Sequence, residues 1–519
     1  MIFSISRLFG AIFLILAVSS CGMLGPKFKK PCPNISCVWD IGDSEKLNQD
    51  PGRDCQWWKI LDDPLLNDLV AIGYNQNLTL QTAGIRVMEA RAILGIAVGE
   101  LYPQEQLLGA DFTTFRASPP TPDRYFNELS VGFDAVWELD LWGKYRRGVQ
   151  AAGSNLVASI ASYDDVMVAI IAEVSRTYVL IRSFEERILL ATKNASIQAR
   201  VVELTRILFE GGTESELDTL QAASVLHNTE ALIPRLETSL NQAINALSVL
   251  LNIPSLTLRE ILDRPGTIPT APPEIAIGLP AELLRRRPDI RQAEYQALAQ
   301  CALIGIAESE LYPSFSLIGS IGWTGTDAGT ATIGNLFNSN NYRYDFGPSI
   351  RWNLFNYGRL KNQVRVEDAR YEELLTDYQN TVINAVGEVQ DAAIAYVKSH
   401  EETESLRKSV EAAERSLEIS IEQYIEGLAT YQRVLDTTRT LTNQQDQYVQ
   451  AATDIITNLI AVYKALGGGW ETRCTREFIP RPVKYRMKCR TDWGHLLDCH
   501  DEVKAGCHSI TSPIRAPDW

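Results

Sequence analysis

GIAVGELYP, from Gly95 to Pro103, returns as GIAESELYP, from Gly305 to Pro313, with seven of nine letters unchanged at a separation of 210 residues. The match widens from there. Gly109 and Gly319 keep the same spacing, and Gly132, Trp137, Leu139 and Gly143 then match Gly347, Trp352, Leu354 and Gly358 at 215. Phe209, Gly212 and Leu220 match Tyr424, Gly427 and Leu435, also at 215, so five extra residues lie between Gly319 and Gly347. A period of this length is a duplicated domain and not a solenoid of short repeats.

Each copy changes its hydrophobic period along its length. Leu129, Val131, Phe133, Ala135, Trp137, Leu139 and Leu141 alternate with Ser130, Gly132, Asp134, Glu138 and Asp140. In the second copy Tyr344, Phe346, Ile350, Trp352 and Leu354 oppose Asp345, Ser349, Arg351 and Asn353. Period two over ten or more residues predicts strands. FSLIGSIGW (Phe315 to Trp323) is a further strand, and its counterpart from Gln104 to Thr113 alternates less cleanly. The strands form two hairpins, over 104–142 and 314–355, whose tips are rich in turn formers. Aromatic residues gather at the open ends: Tyr102, Trp142 and Tyr145 in one, Tyr312, Phe355 and Tyr357 in the other. The soluble reading is a β-sandwich with one wet face; against it, such clusters resemble the girdle of an outer-membrane barrel. A barrel needs about eight strands, so four per chain must be pooled among subunits.

After each hairpin the period becomes helical and stays so from about Gly143 to Glu210 and from about Gly358 to Glu426, without a proline. Leu156, Ile160, Tyr163, Met167, Ile170 and Val174 step by four and three, as do Tyr371, Leu375, Tyr378, Val382, Ala385 and Val389. These are heptad seams of antiparallel coiled-coil hairpins, each turning at a glycine, in EGGTES and EGLATY. Between the copies the proline-rich stretch 253–287 predicts an extended strap. In RRRPDI, Pro288 just inside a helix start with Asp289 beside it predicts a structural helix entry.

The N-terminus reads as a secretory signal: Arg7, an apolar run from Leu8 to Val18, then Ser19 and Ser20 before Cys21. VSSC resembles a bacterial lipobox, with Cys21 as the lipidated first residue of the mature chain. Gly22 stands where an aspartate commonly retains lipoproteins at the inner membrane, which points to the outer membrane. No later segment has the ~18 apolar residues of a transmembrane helix, so any crossing must be made by strands. A net charge of -15 and a pI near 5.0 argue against nucleic acid as a partner. The organisation is therefore a signal peptide (1–20), a lipidated periplasmic segment (21–60), a first repeat (61–252), the connector (253–287), a second repeat (288–470) and a Cys-rich extension (471–519).

With these features the sequence resembles the outer-membrane factor family of TolC-type exit ducts, in its lipoprotein branch (the OprM/NodT type). The residues that carry the resemblance are GPKFKKP (Gly25 to Pro31), VWELDLWGKYRRGV (Val136 to Val149), LLRRRPDIRQAE (Leu283 to Glu294), WNLFNYGRL (Trp352 to Leu360), GLATYQRVLDTTRTL (Gly427 to Leu441) and YKALGGGW (Tyr463 to Trp470). The resemblance implies a mainly α chain whose homotrimer builds a twelve-stranded transmembrane β-barrel, four strands per chain. A hollow periplasmic α-helical barrel continues it, and a periplasmic adaptor protein and an inner-membrane pump deliver substrate to its lower end. The implied function is a passive efflux duct for small molecules. The alternatives are the exit duct of a type I protein secretion system or a structural coiled-coil envelope lipoprotein with no pore.

The resemblance also places candidate sites. Asp436 falls where the family carries the acidic ring of its periplasmic constriction, and Arg439 matches a basic partner nearby. Gln432 and Arg433 depart from the family there, at a position often apolar and at one that can carry a second aspartate, so selectivity does not carry over. The bland reading of Asp436 is an exposed helix aspartate three residues before an arginine. The turns Gly212-Thr213-Glu214-Ser215 and Gly427-Leu428-Ala429-Thr430 should form the adaptor-docking tips, as the only breaks in otherwise continuous hairpins.

No catalytic constellation, P-loop or dinucleotide motif is present, so no enzyme activity, cofactor or metal is expected. Of the histidines, His227 and His400 stand alone on predicted helices, while His495, His500 and His508 accompany Cys474, Cys489, Cys499 and Cys507 in the extension. That mixture is compatible with zinc, but an oxidising periplasm favours disulfides. Cys32, Cys37 and Cys55 extend the set to seven, and Cys301 falls within a helix.

Overall fold

Both periodicities are realised in the computed structural model, which describes residues 22–31, 47–48, 55–116, 125–213, 215–263, 266–272, 275–276, 286–327 and 331–474. The signal peptide, Cys21, Glu214, Cys32, Cys37 and the cysteines and histidines beyond Cys474 lie outside these residues. In chain order the elements are β1 (Leu47–Asn48), a 3-10 turn (Trp57–Leu61), α1 (Pro64–Gln76), α2 (Leu78–Gly99), β2 (Glu105–Arg116), β3 (Tyr125–Glu138) and α3 (Lys144–Glu210). Then follow α4 (Glu216–Leu251), α5 (Ser255–Leu262), β4 (Ile275–Ala276), α6 (Pro288–Ser309), β5 (Ser314–Thr326), β6 (Tyr342–Arg351), α7 (Arg359–Ile425) and α8 (Tyr431–Ala465). Two compact units divide the chain, and the division falls inside α2, α3, α6 and α7. Each unit draws on both copies of the duplication.

The first unit holds one antiparallel sheet in the order β2-β3-β5-β6, so the two hairpins join along β3 and β5. Period two fixes what each face carries. Leu108 opposes Phe133, Phe133 opposes Ile321, and Ile321 opposes Tyr344, and all four side chains are exposed. The next rung, on the other face, is Leu107, Asp134, Ser320 and Asp345, with Ser320 Oγ donating to Asp345 at 2.5 Å. The weakly alternating β2 is a full strand, paired from Glu105↔Val136 to Arg116↔Tyr125. Its partner imposes the register, which puts Leu107 on the polar face. Gly132 and Gly322 face one another, and a Cβ on Gly322 would come within 2.5 Å of the Val131 carbonyl oxygen. Glycine is required there by close backbone approach.

The second unit is helical. α3 and α7 are 67 residues each, near 100 Å at 1.5 Å per residue. In α3 the seam residues Tyr163, Met167, Ile170 and Val174 are buried, and in α7 so are Tyr378, Val382, Ala385 and Val389. No helix among the described residues is long and apolar enough to cross a membrane. The proline-rich stretch between the copies departs from an extended strap: it opens with α5. SLTLREIL places Leu258 and Leu262 one turn apart, both are buried, and that apolar pair stabilises a helix after Pro254. Ile275 then pairs in parallel with Leu47.

Past the second coiled coil, Trp470 is almost wholly buried, its Nε1 donating to the Arg286 carbonyl at 3.0 Å. The guanidinium groups of Arg291 and Arg473 lie 5.1 and 5.6 Å from its ring centroid. Trp57 stacks on Tyr463 at 5.4 Å, which brings the N-terminal 3-10 turn to the same place. Arg287 is a structural joint, donating to Asp289 and Glu388 (both 2.7 Å) and to the Ala465 carbonyl (2.8 Å). Nearby, Asp165 has its carboxyl raised by burial and by the repulsion of Asp289, against the pull of Arg287 and Lys464.

Arg473 also grips Asp164, with Nε and Nη2 donating at 2.5 and 3.1 Å to a carboxylate with no exposure. Removing one partner of such a pair strands a buried charge, at a cost of about 3–5 kcal/mol. Arg473→Ala should therefore lower the thermal midpoint of the purified protein sharply. Arg473→Leu combined with Asp164→Asn should restore much of the loss. Equal midpoints for the single and double variants would show that the charge is not what matters.

Candidate functional site

Each helix hairpin turns on a glycine with a left-handed backbone. At the first turn Gly212 has φ 74°, its N–H donates to Phe209 at 2.9 Å, and Thr213 donates to the Leu208 carbonyl through both N–H and Oγ1. Ser215 then caps α4 by accepting from the Leu217 N–H. At the second turn Gly427 also has φ 74°, and the Leu428 and Ala429 amides both donate to Gln423 at 2.8 and 3.2 Å. These are glycine C-caps that satisfy the last carbonyls of a long helix. Thr430 occupies the N-cap of α8 without a side-chain bond. Phe209, Leu217, Leu220, Ile425 and Leu428 stand exposed around the turns.

The two hairpins share one core beneath these turns, formed by Val201, Ala222 and Val225 with Leu417, Tyr424, Tyr431, Val434 and Leu435. Tyr424 and Tyr431 meet at 5.8 Å across the second turn. Burial pushes the Tyr431 phenol up to about 12, with Arg439 opposing and Asp218 of α4 adding to the rise. Asp218 and the tyrosine pair are neighbours of the candidate constriction that periodicity alone did not single out.

Along α8 the buried stripe is Tyr431, Val434, Leu435, Thr438 and Leu441, so Gln432, Arg433, Asp436 and Arg439 all fall on the exposed side. Gln432 Nε2 donates to Asp436 at 3.1 Å, and Arg433 donates to Gln423 at 3.1 Å. Asp436 and Arg439 form no ion pair with each other among the described residues.

The third candidate is the segment after Cys21. Leu24 N–H donates to the Trp142 carbonyl at 3.1 Å. Arg147, almost wholly buried, donates to three successive carbonyls: Leu24 at 2.9 Å, Gly25 at 3.1 Å and Pro26 at 3.0 Å. Gly25 and Gly305 touch backbone to backbone, since a Cβ on Gly25 would lie 2.4 Å from the Gly305 Cα. Cys301 sits beneath, its thiol 3.6 Å from the Pro26 carbonyl oxygen and held up in pKa by burial. Lys30 pairs with Glu294 at 2.6 Å. The clamp was hidden in the sequence as one arginine among several. The available signal was a break in the duplication: the position 215 residues on is Asn362.

The exposed apolar face of the sheet is that of a protein that meets a membrane through its strands. Residues 74–252 and 279–468, more than half of the chain, match the family model described as outer membrane efflux protein, and the chain belongs to that family. It is 30% identical over 469 residues to nodulation protein T of Rhizobium leguminosarum bv. viciae, covering 89% of this chain and 93% of that protein. It is 28% identical over 466 residues to the pyoverdine export outer membrane protein OpmQ of Pseudomonas aeruginosa, covering 88% and 96%. The solved structure of the outer-membrane channel OprN superposes with a TM-score of 0.81 at 29% identity, over 86% of this chain and 99% of that one. The TolC-like fold and the outer-membrane location expected from the sequence are thereby established. The extension from Glu471 falls outside the family match.

The Arg147 clamp has a direct consequence. Arg147→Ala removes the donors to three carbonyls at once and should free the segment around Lys27 and Lys29 for trypsin. Limited proteolysis should then shorten the mature N-terminus while the circular dichroism spectrum is unchanged. A cleavage rate equal to that of the native chain would mean that the Leu24–Trp142 bond, the Gly25–Gly305 packing and the Lys30–Glu294 pair hold the segment without Arg147.

Proposed function

We propose that three copies of this chain form a passive exit duct through the outer membrane. The observation that carries it is the sheet: four strands, an exposed apolar face, and outer edges on β2 and β6 that have no strand partner among the described residues. Such edges cannot stay open in hydrocarbon, and four strands are too few to close alone. Pooling twelve strands by a three-fold operator satisfies every edge, and the carboxylates Asp134 and Asp345 then line a polar lumen. The buried seams of α3 and α7 continue the duct as a helical barrel. Cys21 carries lipid that anchors the chain in the outer membrane.

The reading assigns energy to partners. An inner-membrane pump and a periplasmic adaptor load the duct, and the adaptor docks on the exposed apolar turns around Gly212 and Gly427. Efflux of small molecules is favoured over protein secretion because the relatives are named for export of compounds such as pyoverdine. No enzymatic step, cofactor or resident metal is assigned to the chain.

Asp436 and Arg439 are proposed to hold the periplasmic end narrow. Three-fold symmetry brings three Asp436 carboxylates around one axis, where converging like charges favour cations. In a planar bilayer, Asp436→Ala should raise single-channel conductance and move the reversal potential in a salt gradient toward zero. If both quantities match the native channel, Asp436 is an ordinary surface carboxylate and the constriction lies elsewhere. A channel that never conducts would sink the duct itself.

The tips are tested separately. A Cβ on Gly427 meets no atom within 4 Å, so the penalty of a substitution there is left-handed backbone strain at an exposed turn, about 1–2 kcal/mol. Gly427→Glu should leave oligomer assembly intact while abolishing crosslinking to the adaptor and efflux. Normal crosslinking in that variant would move the docking site away from the tips.

A further inference from the structure

The exposed apolar face of the sheet is not flat. Ala135 and Gly319 pair directly across β3 and β5 and form the floor of a groove of about 440 Å³. Phe133 and Trp137, two residues either side of Ala135 on the same face, make one pair of walls. Phe346 stands opposite Gly319 and Tyr344 opposite Ile321, both largely exposed. Two small residues between aromatic side chains leave an apolar slot along the sheet. A Cβ added at Gly319 would reach 3.4 Å from the Phe346 ring, so a side chain there would fill it.

We propose that this groove seats an acyl chain carried by Cys21, so that the lipid anchor is docked on the barrel wall and not free in the bilayer. The proposal rests on the reading of Cys21 as a lipidated residue. What selects this occupant is the start of the described chain. Leu24 is fixed to Trp142 by its amide and to Arg147 by its carbonyl. Cys21 is three residues earlier, which confines it to within about 11 Å of Leu24. Trp142 in turn donates to the Pro313 carbonyl at 2.8 Å, and its ring packs 4.9 Å from Tyr312. From Pro313 the groove wall at Leu317 is four residues along the strand, about 13 Å. An acyl chain covers about half of the ~30 Å hydrocarbon core. Tether and chain together span about 26 Å, twice the ~13 Å from Pro313 to the groove wall. A phospholipid taken from the bilayer has the same tail chemistry but no tether, and a tethered tail competes at a much higher local concentration.

The test uses the full-length chain in its own membranes, labelled with an alkyne-tagged palmitate. A benzophenone amino acid replaces Phe346, and in a second variant Tyr344, so that loss of folding in one does not end the test. Irradiation should join the peptide carrying the benzophenone to the acylated N-terminal peptide that begins at Cys21, within the same oligomer. Gly319→Trp should lower that product at least tenfold while Cys21 keeps its label and the oligomer persists. A photoproduct joined to phospholipid or lipopolysaccharide, with Cys21 labelled, overturns the proposal, because the groove then holds bulk lipid. Label on Cys21 with no photoproduct at either position overturns it as well. Absence of label on Cys21 in the otherwise native chain sinks the lipidation reading and the proposal with it, and is distinguishable from both other failures.

Discussion

Backbone hydrogen bonding in hydrocarbon is the constraint from which the remaining architecture follows. Every strand that enters a bilayer must have both edges paired, since no water is there to satisfy an amide or a carbonyl. β3 and β5 meet this condition within the chain, because each lies between two partners. Among the described residues β2 and β6 each have one partner, and the rung from Leu108 to Tyr344 is apolar and exposed. A soluble sheet would hide such a face in a core. Here the face remains exposed, as the proposed closure by further copies requires of a lipid-facing wall.

The helices answer a different requirement. A long coiled coil needs no central domain if its seam is continuous, and α3 and α7 bury Tyr163, Met167, Tyr378 and Val382 at matching places in the two copies. Their glycine-capped ends leave apolar side chains such as Leu428 in solvent without any buried polar cost, because Gly212 and Gly427 let the last carbonyls be satisfied locally. Charge is used sparingly inside. Where it is buried, as in Asp164 with Arg473, it pins chain segments far apart in sequence. Such pairs contribute specificity of placement more than net stability. Arg147 works in the same manner on neutral partners, holding three carbonyls of the segment that follows Cys21.

Much of this was legible in one dimension because it is periodic. Alternation over β3 and β6, heptad steps in α3 and α7, and the 215-residue offset are local patterns, and each is imposed by a face that must stay apolar over many residues. The strand β2 was less legible, since Leu107 sits on the polar face and only its pairing with β3 forces the register. The connector was misread as wholly extended because its prolines dominate its composition, while the short helix α5 depends on burying just Leu258 and Leu262. Glu214, Cys21 and the cysteines of the extension were named from sequence alone.

The amino-acid sequence thus determined what repetition can encode: a duplicated plan, two hairpins, long helices and the glycine turns between them. Tertiary structure alone decided the order in which the hairpins join, the fact that Asp436 bonds to Gln432 and not to Arg439, and the choice of Arg147 from among several arginines as the clamp. The physical reason is the range of the interactions. Periodicity reports a residue's relation to neighbours three or four positions away, whereas a buried guanidinium finds its partners more than a hundred residues off, where only the folded chain brings them within 3 Å.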